Sequence, residues 1–136
     1  MPFQGLQDGI YLVRQKSIRK KDIDHYGVLD IGNRLNLANA DGFNPVVIHQ
    51  APPQIRVDNL EDTGSWELLE QSIDEKLAEN RFWKACENPI YFLGNNNCEH
   101  FARYVVCGIR ESKQLQGAVI IIGVFALALH GLTRQA

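Results

Sequence analysis

Cys98 follows three asparagines in NNNCEHFARYVVCG, where a loop should turn into a helix. Asn97 has a short side chain able to accept a hydrogen bond from a backbone N–H one turn ahead, so it predicts the cap of a helix running through Val106. Cys98 then falls in the first turn, where exposed N–H groups and the positive end of the helix dipole favour the thiolate. A thiolate attacks carbonyl carbon, and the same N–H groups can hold the oxyanion that forms. His100 is a poor partner for this sulfur, because two helical positions separate the side chains by roughly 200° around the axis. The base must come from elsewhere, and the chain offers His25, His49 and His130.

Two of these histidines sit in segments suited to holding a ring still. In IDHYGVLDIG, Ile23, His25, Gly27 and Leu29 share one face of a short strand, with Tyr26, Val28 and Asp30 on the other. His49 lies in NPVVIHQAPPQIRV, a β-branched run ending at Pro52. One imidazole can take the thiol proton while the other bonds its far nitrogen and fixes the tautomer. The sequence leaves open which histidine plays which part.

VVIHQAPP and NCEHF, in that order and after an upstream His-Tyr pair, resemble the lecithin:retinol acyltransferase-like family, a permuted branch of the NlpC-type papain-like superfamily. The similarity runs from about Asp8 to Gly108. It implies an α+β fold, in which an antiparallel sheet packs against helices and the nucleophile stands at a helix N-terminus. It also implies that Cys98 accepts the acyl group, that His25 is the general base and that His49 is the polar residue supporting it. Between the two histidine strands, Asn33 to Pro45 is longer than the tight turn of the compact phospholipid enzymes, and its Asn, Asp and Gly content predicts a surface loop or irregular hairpin. Asp8-Gly9 is all that remains of the family's Pro-Gly-Asp lead into the first strand.

The rest of the chain must position these groups. At 136 residues with 45% hydrophobic content it suits one core, divided into a catalytic domain over 1–114 and a hydrophobic segment over 115–136. Strands are expected at Ile10 to Val13, in LDIG, in PVVIHQ and in QIRV, with RQKSIRKK as a basic turn before His25. From Trp66 to Cys86 the period changes, predicting an amphipathic helix with Leu69, Ile73, Leu77 and Phe82 toward the core. Thr63 or Ser65 would cap it, and Asn80 is a point of interruption. Glu99 and His100 read as scaffold of the nucleophile helix, with Phe101 and Tyr104 on its packing face.

Three cysteines, Cys86, Cys98 and Cys107, form no CxxC pair and no zinc-ligand spacing, so neither a metal nor a disulfide framework is expected. A reducing compartment fits, with Cys86 and Cys107 as small hydrophobes. No cofactor is implied. A net charge of −2 with one basic cluster argues against nucleic-acid binding. The stretch from Leu115 to Leu132 carries no formal charge and as a helix would span about 27 Å, close to a hydrocarbon core of about 30 Å. It is a candidate membrane anchor, with a helix buried in a dimer or against the sheet as the alternative. MPFQGLQDG has no signal-peptide pattern, which sets the catalytic part on the cytoplasmic face of a membrane, or in the cytoplasm if the segment is buried.

The expected activity is a thiol-dependent acyltransferase or phospholipase A-type hydrolase acting on acyl esters of phospholipids through a thioester. A papain-like peptidase or amidase would use the same groups on a peptide bond. A noncatalytic membrane-associated adaptor would keep the tail and separate the histidines from the sulfur.

Overall fold

The computed structural model describes residues 3, 5–16, 24–37, 45–91 and 97–109. They form an α+β domain with one antiparallel sheet and two helices. The strands are β1 (Gly9–Gln15), β2 (His25–Ile31), β3 (Val46–Ala51), β4 (Gln54–Asn59) and β5 (Glu67–Gln71), and the helices are α1 (Glu75–Cys86) and α2 (Cys98–Cys107). Spatial order across the sheet is β4-β3-β2-β1-β5.

Period-two alternation divides the central strands between two cores. Ile10, Leu12, Tyr26, Val28, Val46 and Ile48 face the helices, where they meet Phe82, Cys98, Phe101 and Val105. Tyr11, Val13, Leu29 and Val47 face the other way, against Leu60 and Trp66. A sheet buried on both faces needs nearly continuous apolar strands, which IYLV and VVI supply. Gly27 has a specific place in the second layer. A Cβ there would come within 2.8 Å of Val47 Cγ1 and 3.3 Å of the Trp66 ring, so only glycine lets the tryptophan close over the sheet.

The two-residue connection Pro52-Pro53 joins β3 to β4 with Ala51 opposite Gln54, and this fixes every later pair, His49 opposite Arg56 and Val47 opposite Asp58 among them. The expected strands are all present, β1 and β4 being longer than their sequence cores. RQKSIRKK falls largely, and the middle of the Asn33 to Pro45 connection wholly, outside the described residues, as does 115–136.

The single long helix expected from Trp66 to Cys86 is corrected. Glu67–Gln71 is a strand paired to the open edge of β1, with Leu68 opposite Val13 and Glu70 opposite Leu12. The free N–H and C=O groups of β1 gain partners from this segment, an interaction that helical periodicity cannot register. The helix starts later because Asp74 is its cap, its carboxylate accepting from Lys76 N at 3.0 Å and Leu77 N at 3.1 Å. Asn80 does not interrupt it. Its buried side chains are Ala78 and Phe82, while Ile73 is 100% exposed, Leu77 50% and Leu69 37%.

Phe82→Ala should therefore cost about 3–5 kcal/mol in urea unfolding. Leu69→Thr, on the exposed edge strand, should change stability by less than about 0.5 kcal/mol; the opposite order would restore the continuous-helix reading.

Candidate functional site

The nucleophile helix begins with reciprocal bonds. Asn97 Oδ1 accepts from His100 N at 2.9 Å, and His100 Nδ1 accepts from Asn97 N at 3.3 Å, a capping box that satisfies two otherwise orphan donors. His100 thus caps its own helix, in keeping with the scaffold role expected from its spacing from Cys98. Glu99 is fully buried and pairs with Arg103 at 2.7 Å one turn along, and the Arg103 guanidinium lies 5.2 Å from the centroid of the Tyr26 ring. This ties the first turn of α2 to β2.

Cys98 is 3% exposed. Its thiol donates to the carbonyl of Asp24 at 3.7 Å, and the backbone N–H groups of Tyr26, Glu99 and Cys98 itself are directed at the sulfur. Asp24 and Tyr26 flank His25, so the sulfur rests on the start of the strand that carries the imidazole. Burial pushes the Cys98 thiol above its ordinary 9.0 despite those N–H groups, which pull it down. The thiolate anticipated from helix position is therefore not the resting form. A surface dipole contributes about 0.3–1 kcal/mol, less than the desolvation of a buried charge.

His25 and His49 are bonded to each other, His25 Nε2 to His49 Nδ1 at 2.7 Å, with the rings edge-on at 81°. His49 Nε2 lies 2.7 Å from Asp58 Oδ2. The directions of these bonds follow from the carboxylate. Asp58 is held below the usual carboxylate range chiefly by its bond to His49, so it is ionised and only accepts. A neutral His49 then carries its proton on Nε2 and offers Nδ1 as acceptor. His25 must in turn donate from Nε2, which leaves Nδ1 as its lone-pair nitrogen. Burial, and next the charge His49 would carry, lower His25 from 6.5 to about 4. It is neutral, and a base, over the physiological range.

Trp66 walls the pair, its ring 5.7 Å from His25 and 6.4 Å from His49 by centroids, and its Nε1 donates to Thr63 Oγ1 at 2.7 Å. Asp58 and Trp66 are the residues that sequence reasoning missed. Asp58 was legible: a two-residue Pro-Pro connection sets residue 58 opposite residue 47, diagonal to His49 on the same face. Trp66 was assigned to a helix, which hid it. His130 lies outside the described residues. Cys86 and Cys107 are half-buried and form no disulfide, and the Cys107 thiol donates to Glu70 at 3.1 Å, a polar contact that a small hydrophobe would not make.

Among the described residues, no group of three or more His, Cys, Asp or Glu is arranged to hold a metal ion, and no helix is long and apolar enough to cross a membrane. No family model matches the chain, and no curated protein or solved structure is significantly similar to it. The residues alone carry the functional argument.

His25 gives the fold a pH dependence of defined sign. Above pH 6.5 the ring is neutral folded and unfolded and contributes nothing; from 6.5 down to about 4 only the unfolded chain takes the proton, so stability falls. The loss reaches roughly 3 kcal/mol. Asp58 adds its own loss only as pH falls through and below 3.8. Urea titrations of His25→Gln should show a flatter profile between pH 6.5 and 4; an unchanged slope would mean that His25 is not buried neutral.

Proposed function

We propose that the protein is a cysteine-dependent acyl enzyme of the lecithin:retinol acyltransferase-like type, with a permuted papain-like arrangement of sheet and nucleophile helix. The observation that carries this reading is the directed chain from Asp58 through His49 to His25, which leaves one basic nitrogen on the strand that touches Cys98.

In the proposed mechanism, the Cys98 thiol leaves the Asp24 carbonyl and gives its proton to His25 Nδ1 as sulfur attacks the acyl carbonyl. His49 and Asp58 stabilise the imidazolium through the two existing hydrogen bonds. The N–H groups already aimed at the sulfur, those of Cys98 and Glu99, are available to the oxyanion. The bond to the leaving oxygen breaks, His25 returns the proton to it, and a thioester remains on Cys98. Water then releases the acid, or an alcohol or amine accepts the acyl group, with His25 acting as base again. Because the resting thiol and imidazole are both neutral, proton transfer accompanies attack rather than preceding it. A phospholipid acyl ester is the substrate class proposed, and the uncharged stretch from Leu115 to Leu132 would attach the enzyme to the bilayer that holds it.

Intact-mass measurement after brief exposure to a phospholipid or an activated acyl ester should reveal one acyl adduct on the full chain. Cys98→Ala should abolish it; an adduct untouched by that substitution would end the assignment. Asp58→Asn replaces an obligate acceptor by a group that can also donate, which disturbs the tautomer of both rings. Acylation should slow by about 10²–10⁴-fold with Cys98 still present and the fold retained.

A further inference from the structure

A groove of about 530 Å³, with neither histidine in its lining, runs between the start of α1, the end of α2 and the edge strand β5. Its apolar wall is made by Ile73, Leu77, Val106 and Ile109, and three of these are half or more exposed, Ile73 at 100% and Ile109 at 54%. The cations in its lining are already engaged. Arg81 donates to the carbonyls of Val105 and Val106 at 3.1 and 3.4 Å, and Arg103 pairs with Glu99 at 2.7 Å. Apolar surface facing water in a concave site marks a docking position.

The chain itself indicates the occupant. Gly108 ends α2 with φ 79°, Ile109 N bonds back to Arg103 O, and Ile109, at the end of the described residues, forms part of the groove wall. Five residues separate it from the uncharged stretch from Leu115 to Leu132, which contains Val119, Ile120, Ile121, Ile122, Val124, Phe125, Leu127 and Leu129. An extended connection of that length reaches about 20 Å, enough to return to the groove. Tethering makes this encounter intramolecular, at an effective concentration in the millimolar range for a short linker, well above that of a second copy in dilute solution. The lining also carries Glu70 and Asp74, which oppose an anionic headgroup surface, and a concave groove does not match a flat bilayer.

We propose that, away from a membrane, the segment from Leu115 to Leu132 packs its aliphatic side chains into this groove, so that docking on the domain and insertion into lipid compete for one apolar segment. The inference does not depend on the catalytic reading.

Cys107 is a built-in reporter: it lines the groove, is half-buried, and its thiol bonds Glu70 at 3.1 Å, while Cys86 is half-buried outside the groove and serves as reference. In the full chain without lipid, the paired substitution Ile121→Asp and Val124→Asp should raise alkylation of Cys107 relative to Cys86 by about tenfold, equivalent to ~1.4 kcal/mol of lost docking. In a second measurement, Cys86→Ser and Cys98→Ala are combined with Ile121→Cys, Val124→Cys or Leu127→Cys, one at a time. Mild oxidation should then give an intramolecular disulfide to Cys107 in at least one of the three, and Ile73→Asp, at a fully exposed position, should suppress it. Disulfides found only between two chains would assign the groove to a second copy and overturn the proposal. So would an unchanged alkylation ratio with no disulfide at any position. A third overturning result would be Ile73→Asp weakening flotation with anionic vesicles while leaving the intramolecular disulfide unchanged.

Discussion

His49 can donate one hydrogen bond and accept one while neutral, and both are already committed. Asp58 takes the donor, so His25 must supply the proton between the rings, and the remaining nitrogen of His25 is left basic. Every statement about chemistry at Cys98 rests on that ordering. It rests in turn on strand register, since Asp58 reaches His49 as its diagonal neighbour across a hairpin whose turn allows no slippage. Trp66 closes over both rings because Gly27 leaves the space.

The same burial that orients these groups also keeps them uncharged. His25 is displaced to about 4 and Cys98 above 9, so the imidazole and the thiol each rest neutral. Helix position alone would argue for a thiolate, and the N–H groups around the sulfur do pull in that direction. Desolvation outweighs them because the sulfur lies beneath the first turn of α2, inside the core shared with Tyr26 and Phe101. A reactive carbonyl entering that space would meet amide donors that need no reorganisation as charge develops.

The two faces of the helical layer differ in kind. Toward the sheet, Ala78, Phe82, Phe101 and Val105 fill a continuous core. Away from it, the phase set by the Asp74 cap turns Leu77 outward to the groove beside Ile109, and Ile73, just before the cap, lines the same groove. An amphipathic pattern shows that a helix has an apolar stripe; it does not say whether one stripe or two are covered.

Local pattern was enough to read much of this protein. Asn97 announced the cap of α2, alternation in β1, β2 and β3 announced two-faced strands, and the separation of His100 from Cys98 by two positions made it a poor partner for the sulfur. The contexts of His25, His49 and Cys98 singled out the candidate site, because cap chemistry and period-two alternation act within a few residues of chain. Folding in three dimensions decided the rest. Glu67–Gln71 became a strand because β1 had an unfilled edge, Asp58 became the third member of the chain through cross-strand register, and desolvation reversed the expected ionisation of Cys98. Each depends on which surfaces meet and how much water they exclude, and residues distant in the chain acquire those properties only when the sheet and helices close on one another.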